Sequence, residues 1–309
     1  MNTFRTLRTL AVFLLSLIII TLSLGLGFAL YYGADGIFSF GSREISVKSD
    51  ETVDAAGLNS IVIDCESADV SIMQSEDKEI RIVHSSDAGK RKRDKVSIDR
   101  NGGRLEVRLK TDLRTWFSFF SGYEKLEIYI PVEYNKNLSA DTASGDVSLE
   151  DNFKFTEIQL STASGDITAQ RLECETAELN TASGDIELDE LTGRHELSTA
   201  SGSITVYSAL GGGRFETASG DVSASYSEIL SDVLIKTASG SVDVEFGGPV
   251  PAISADTASG DVESNLKVWQ SGGRYEIGTP VSDISMEIST ASGDIDVRQL
   301  VRDSDVETP

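Results

Sequence analysis

The sequence is short of several things. It has two cysteines, two histidines and five prolines in 309 residues, and aromatics make up 7%. Two cysteines exclude a disulfide framework, and so few cysteines and histidines leave little for a zinc-type cage. Basic residues are scarce beside acidic ones: 27 Lys+Arg against 50 Asp+Glu, a formal net charge of −23. That excludes nucleic-acid binding, which needs a basic surface. No Gly-rich phosphate loop precedes a helix, and no Ser/His/Asp or zinc-type spacing surrounds His84 or His195. Each is read as structural or exposed rather than catalytic. Cys65 and Cys174 share parity with apolar neighbours and are read as buried, unpaired side chains.

There is one long apolar run. Residues 10–30 are almost continuously apolar, with Arg5 and Arg8 before them and Asp35 after. Some twenty residues of helix cross the hydrocarbon core of a bilayer. The positive-inside rule keeps the N-terminus cytoplasmic and sends the rest outside. The competing reading is a signal peptide cleaved near Gly27-Phe28-Ala29, with a secreted product. The expected organisation is a cytoplasmic tail (1–9), a transmembrane anchor (10–32), a linker (33–54), a β cap (55–137), a repeat region (138–300) and a tail (301–309).

What the chain has in quantity is one tetrapeptide. Thr-Ala-Ser-Gly starts at Thr142, Thr162, Thr181, Thr199, Thr217, Thr237, Thr257 and Thr290, at intervals of 20, 19, 18, 18, 20, 20 and 33 residues. A fixed period near 19 means stacked repeats. The flanks alternate with period two, as in Ile186-Glu187-Leu188 and Val242-Asp243-Val244, so they are strands. The expected fold is all-β: a single-stack β-solenoid, each coil reading as strand, tight bend, strand and loop. Gly in the bend is expected to supply positive φ. Ser67-Ala68-Asp69 is a worn copy of the bend and marks the first coil. Residues 96–109 read as a hairpin turning through Asn101-Gly102-Gly103, with Asn-Gly as the turn signal. In the 33-residue interval, 267–273 reads as a hairpin, and 279–284 as either a worn repeat or part of one enlarged coil.

After the tetrapeptide comes Asp146, Asp166, Asp185, Asp221, Asp261 or Asp294, with Ser203 and Ser241 in two coils. These side chains are expected to accept hydrogen bonds from backbone N–H groups in the bends. The alternative is a Ca²⁺ ladder through the six aspartates, for which one carboxylate per coil is thin. No other cofactor is expected. Two patches precede the repeats. Lys90, Arg91, Lys92, Arg93 and Lys95 form a basic cluster, and Trp116, Phe117, Phe119, Phe120 and Tyr123 an aromatic one. They read as a solvated loop and an apolar plug, or jointly as a contact for the membrane or for wall polymers. The acidity lies elsewhere: residues 138–309 carry 9 basic and 31 acidic side chains.

The runs Thr-Ala-Ser-Gly-Asp-Ile/Val, after an aromatic-rich segment and a Pro-containing strand, resemble a bacterial adhesin-like family of unknown function. The likeness spans roughly residues 55–300. It implies a β-helical, membrane-associated protein of the cell envelope and carries no catalytic residues to transfer. Ser203 and Ser241 depart from its motif. The favoured function is a non-enzymatic structural or interaction module that meets envelope proteins, wall polymers or copies of itself. The rivals are an accessory or sensor of envelope stress and a polysaccharide-active β-helix enzyme. An enzyme of that kind would need special carboxylates gathered in one groove.

Overall fold

In a computed structural model of the chain, residues 45–87, 95–110, 123–271 and 274–300 are described. They are all β, in twenty-one strands. The N-terminal part holds β1 (Ser46–Asp54), β2 (Ser60–Cys65), β3 (Asp69–Ser75), β4 (Glu79–Ser86), β5 (Lys95–Asn101), β6 (Arg104–Lys110), β7 (Glu124–Pro131) and β8 (Asn137–Thr142). Four long strands follow: β9 (Val147–Thr162), β10 (Ile167–Thr181), β11 (Ile186–Thr199) and β12 (Ile204–Thr217). The rest are β13 (Val222–Ile229), β14 (Val233–Lys236), β15 (Val242–Phe246), β16 (Ala252–Thr257), β17 (Val262–Ser264), β18 (Val268–Ser271), β19 (Arg274–Ile277), β20 (Ser285–Thr290) and β21 (Ile295–Gln299).

The coils stack in parallel and in register. Ile167 pairs with Val147 on one side and Ile186 on the other, and Leu179 with Leu160 and Leu197. One coil shows how the sequence makes this shape. In β10 the buried residues are Ile167 and Ala169, then Leu172 and Cys174, then Ala177, Leu179 and Thr181. Alternation puts every second side chain inside. It slips twice, at the exposed doublets Gln170-Arg171 and Glu175-Thr176. Each slip turns the chain through a corner, and the Thr-Ala-Ser-Gly bend makes the third. A coil therefore has three faces, and the expected loop after the second strand is a strand too. Coil length varies at the corners: the registers of β9 on β10 and β10 on β11 shift there, while β11 on β12 runs unbroken. The apolar rows two residues before and five after each Thr are buried, except Val262 in the outermost coil.

Sequence order and stacking order disagree at both ends. β2–β3 is a coil, as the worn bend implies, but it lies between β6/β7 outside and β8/β9 inside. Likewise β20–β21, last in sequence, lies between the β14–β15 coil and the β16–β17 coil. Residues 279–284 are only the link into that inserted coil. The wide interval is thus one enlarged excursion, with the β18–β19 hairpin antiparallel on β16.

Antiparallel strands cover the outer edges of the N-terminal end: β4 on β7, β1 on β4, and β5 on β6. The β5–β6 hairpin turns at Gly102-Gly103, with Asn101 paired to Arg104 and Gly102 at φ 60°. The turn falls within the expected Asn101-Gly102-Gly103 stretch, on its two glycines. The exposed strand β1 carries Lys48, Asp50, Glu51 and Asp54, and charge on an edge discourages pairing with other chains. The expected anchor, the Lys90–Arg93 cluster and the Trp116–Phe120 cluster lie outside the described residues, as does the Lys95 side chain. Among the described residues, no helix is long and apolar enough to cross a membrane.

Candidate functional site

The bend column is a hydrogen-bonded spine. Apart from Thr142, which donates to Ala68 O, each Thr hydroxyl donates to the Gly carbonyl of an adjacent coil: Thr181 Oγ1 to Gly165 O at 3.0 Å, Thr199 to Gly184 at 3.0 Å, Thr217 to Gly202 at 2.9 Å. In the first three bends the same oxygen also accepts from the Gly N–H of its own coil, as Gly184 N donates to Thr181 Oγ1 at 3.1 Å. The Asp column behaves the same way. Asp166 N donates to Asp146 Oδ1 at 2.9 Å, Asp185 N to Asp166 at 2.8 Å and Ser203 N to Asp185 at 2.7 Å. The run begins at Asp69 Oδ1 and ends with Asp261 N on Asp294 Oδ1. Ser203 and Ser241 accept through Oγ at 3.3 and 3.4 Å, so Ser can stand in the column.

Asp146, Asp166, Asp185, Asp221 and Asp294 do cap backbone N–H groups, but those of the adjacent coil rather than of their own turn, as an Asx turn would. Asp261 closes the column as a donor. As for the Ca²⁺ ladder, the described residues contain no group of three or more His, Cys, Asp or Glu that could hold a metal ion. The bend glycines do not have positive φ, which among the described residues is confined to Gly57, Gly102, Gly193, Gly211, Gly248 and Gly278. Glycine is required in the bend because a Cβ on Gly184 would lie 1.8 Å from Gly165 O. Close approach between coils, not backbone handedness, sets the residue.

The stack loses its monotony at one place. Gly211, Gly212 and Gly213 lie within β12, and Gly193 and Gly211 have φ of 119° and 137°. The next coil folds across them: a Cβ on Gly212 would meet Ser231 O at 2.3 Å. A groove of about 700 Å³ opens here. Glu157, Glu178, Glu196 and Asp232 line it together with Arg194 and Arg214. Glu178 is held by Gln159 Nε2 at 3.3 Å and Asn180 Nδ2 at 3.1 Å, and Arg214 is paired with Glu216. Arg194 and Glu196 are exposed and make no ion pair among the described residues. The charged residues of this groove were not singled out from the sequence. Their one visible signal is the Gly-Gly-Gly run, unique within the repeats.

Beneath the groove lies His195, 2% exposed. Its Nδ1 is 3.1 Å from Gly193 O and its Nε2 3.1 Å from the Tyr226 hydroxyl. The carbonyl can only accept, so Nδ1 carries the proton and Nε2 accepts from Tyr226. The ring meets Phe215 edge-on, with centroids 5.1 Å apart. Both histidine nitrogens are used, and the residue is structural. Burial pulls its pKa down to about 4, while the Gly193 carbonyl opposes that shift.

A stability consequence follows. Above pH 6.5 the imidazole is neutral in both folded and unfolded chains. As pH falls from 6.5 towards 4, only the unfolded chain takes up the proton, so stability is lost across that window. The loss should be roughly 3 kcal/mol. In urea unfolding at pH 7.5 and pH 4.5, His195→Gln should show a smaller fall than wild type. Equal falls in the two proteins would rule out His195 as the source. Cys65 and Cys174 are buried and free, and burial pushes both thiols up to about 12, so neither is a ready nucleophile at neutral pH.

The family model described as Toastrack DUF4097 matches residues 58–298. No curated protein is significantly similar. Solved structures are similar at low identity. A candidate adhesin from Bacteroides fragilis NCTC 9343 is 13% identical, with TM-score 0.45, covering 84% of this chain and 98% of its own. A candidate lipid-binding protein from Parabacteroides distasonis ATCC 8503 is 16% identical, with TM-score 0.36 and the same coverages. A candidate cell adhesion protein from Clostridium sporogenes ATCC 15579 is 11% identical, with TM-score 0.33, covering 83% of this chain and all of its own.

Proposed function

The chain belongs to the Toastrack DUF4097 family, and from that premise we propose that it is a non-enzymatic interaction module of the bacterial cell envelope. In this reading the N-terminal apolar segment anchors it in the cell membrane, and the β-solenoid lies outside and acts in the manner of an adhesin. The observation that carries the reading is the stack itself. Coils in register present the same rows of side chains one above another, an extended surface of the kind repeat proteins use to meet partners. The sequence supports the location: Arg5 and Arg8 precede the apolar run, and no charge falls within it.

The test is fractionation of cells expressing the full chain with a C-terminal epitope. The epitope should sediment with membranes and be removed when protease is added to intact cells stripped of their wall. An epitope found in the cytosol, or protected until lysis, would overturn the location. For the adhesive role, cells lacking the protein should bind less to surfaces coated with the host's own envelope material. Unchanged binding would count against it.

A further inference from the structure

The groove at Gly211–Gly213 has a composition that selects among ligands. It crosses five coils, from Glu157 through Thr176, Arg194 and Gly212 to Ser231. At about 4.8 Å per coil that is roughly 19 Å of length. Its floor is rigid, because the Gly193 carbonyl and Tyr226 fix His195, and Phe215 packs on the ring.

Three classes of ligand fit poorly. An anion faces four lining carboxylates against two guanidinium groups, on a repeat region carrying 31 acidic and 9 basic residues. A metal ion lacks a ligand cluster among the described residues. A peptide strand needs an open sheet edge, and here parallel ladders use the backbone groups on both sides except at Gly212-Gly213, where Ser231 crosses the gap. The groove instead offers hydrogen-bonding side chains along its whole length. Glu196 is an acceptor, Glu157 and Asp232 each keep one oxygen after accepting from Asn137 Nδ2 and Ser285 N, Arg194 is a donor, and the Thr176 and Ser231 hydroxyls are both. Arg194 is the telling member. Among the described residues of the repeat region Lys154, Arg171, Arg214, Arg274 and Arg298 are each paired with a carboxylate; Arg194, Lys236 and Lys267 make no ion pair, and of these three only Arg194 lines the groove. The Arg214 Nε is also buried without a hydrogen-bond partner among the described residues.

We propose that this groove binds a neutral or amino-bearing oligosaccharide, its hydroxyls donating to Glu196 and Asp232 and accepting from Arg194. This deepens the reading of the solenoid as an interaction module and takes its biological setting from it. With no aromatic side chain in the groove to stack on a sugar ring, binding should be weak, with Kd from about 0.1 to 5 mM for a short oligosaccharide.

The experiment uses the full chain in a detergent without a sugar headgroup. Ligand-observed NMR and calorimetry would compare neutral β-glucan, N-acetylglucosamine and glucosamine oligosaccharides with uronic acid oligosaccharides. Expected are binding of a neutral or amino ligand, little change between about 0.05 and 0.5 M salt for the neutral one, and a loss of about tenfold in Arg194→Ala and Glu196→Gln. Both residues are exposed, so both variants should keep the wild-type melting curve. Glu245→Gln, on another face, should bind as wild type does. The proposal falls if no neutral or amino oligosaccharide binds at about 10 mM, if only uronic acids bind, or if the two groove variants bind unchanged. It also falls if the groove variants instead abolish self-association in sedimentation while no sugar binds. Failure of the membrane location would show in fractionation and leave these readouts untouched.

Discussion

Gly184→Ala should be among the most damaging single substitutions in the molecule, costing more than about 4 kcal/mol. The added Cβ would stand 1.8 Å from Gly165 O and 2.5 Å from its carbon, both backbone atoms that cannot rotate away. Relief requires the two coils to part. The contacts that would part with them hold the bend together: Thr181 Oγ1 on Gly165 O, Asp185 N on Asp166 Oδ1, and Ile167 N on Asp185 O at 2.9 Å. A steric fault is thus converted into loss of hydrogen bonds at the bend, where the Thr181–Gly165 bond is buried and an unmet group costs about 1–3 kcal/mol. Gly57→Ala provides the contrast. That glycine has φ 75° but nothing within 4 Å of the added atom, so its cost should be about 1 kcal/mol. Asp185→Asn keeps an acceptor for Ser203 N and should cost little, while Asp185→Ala should cost about 1 kcal/mol. Urea unfolding followed by far-ultraviolet circular dichroism orders the four variants. If Gly57→Ala proved as harmful as Gly184→Ala, close approach between coils would not be the reason for glycine in the bend.

How far the sequence reveals the structure depends on whether a feature repeats. Eight identical tetrapeptides with alternating flanks are enough for an all-β solenoid, for the buried rows and for the capping use of Asp166 or Asp185. The worn bend at Ala68-Asp69 is legible because Asp69 keeps the acceptor and the Ala68 carbonyl takes the place of a glycine carbonyl. The reason for glycine is not legible. Positive φ and close approach both demand Gly, and only the distance to the next coil separates them. The three faces are hidden because a corner is a slip of parity, as at Gln170-Arg171, and looks like noise in an alternating pattern. The groove is hidden for a related reason: its side chains come from different coils and share no local motif. Arg194 and Glu196 are near in sequence, but Glu157 and Asp232 join them only through the stacking register.

Stacking order was the least accessible feature, and it carries the second large prediction. Deleting residues 285–309 should release the whole segment 252–277, not merely trim one coil. In a solenoid stacked in sequence order, the last coil is an end piece, and its removal leaves the neighbour intact. Here β20 pairs with β14 on one side and β16 on the other, and β21 with β15 and β17. The inserted coil supplies four fully buried side chains, Met286, Ile288, Ile295 and Val297. At about 1.5–3 kcal/mol each, their burial is comparable with the net stability of an ordinary domain. The outer coil could in principle slide inward, since its Thr257 and Gly260 match the spine. It is a poor substitute. In register, it offers Ala255 where β20 offers Ile288, and Ser264 where β21 offers Val297. The core beside Ile235 and Val244 would be left with cavities and a hydroxyl, and each such large-to-small change costs about 2–5 kcal/mol. Hydrogen exchange should therefore show amides of residues 252–257 and 274–277 unprotected in the truncated chain, with Val233–Lys236 and Val242–Phe246 weakened as a bare parallel edge. Wild-type protection across 252–277 after truncation would mean that the outer coil holds to the stack without the inserted one. The excursion would then be a detail of connectivity, whereas these ladders make the last coil the fastener of the end.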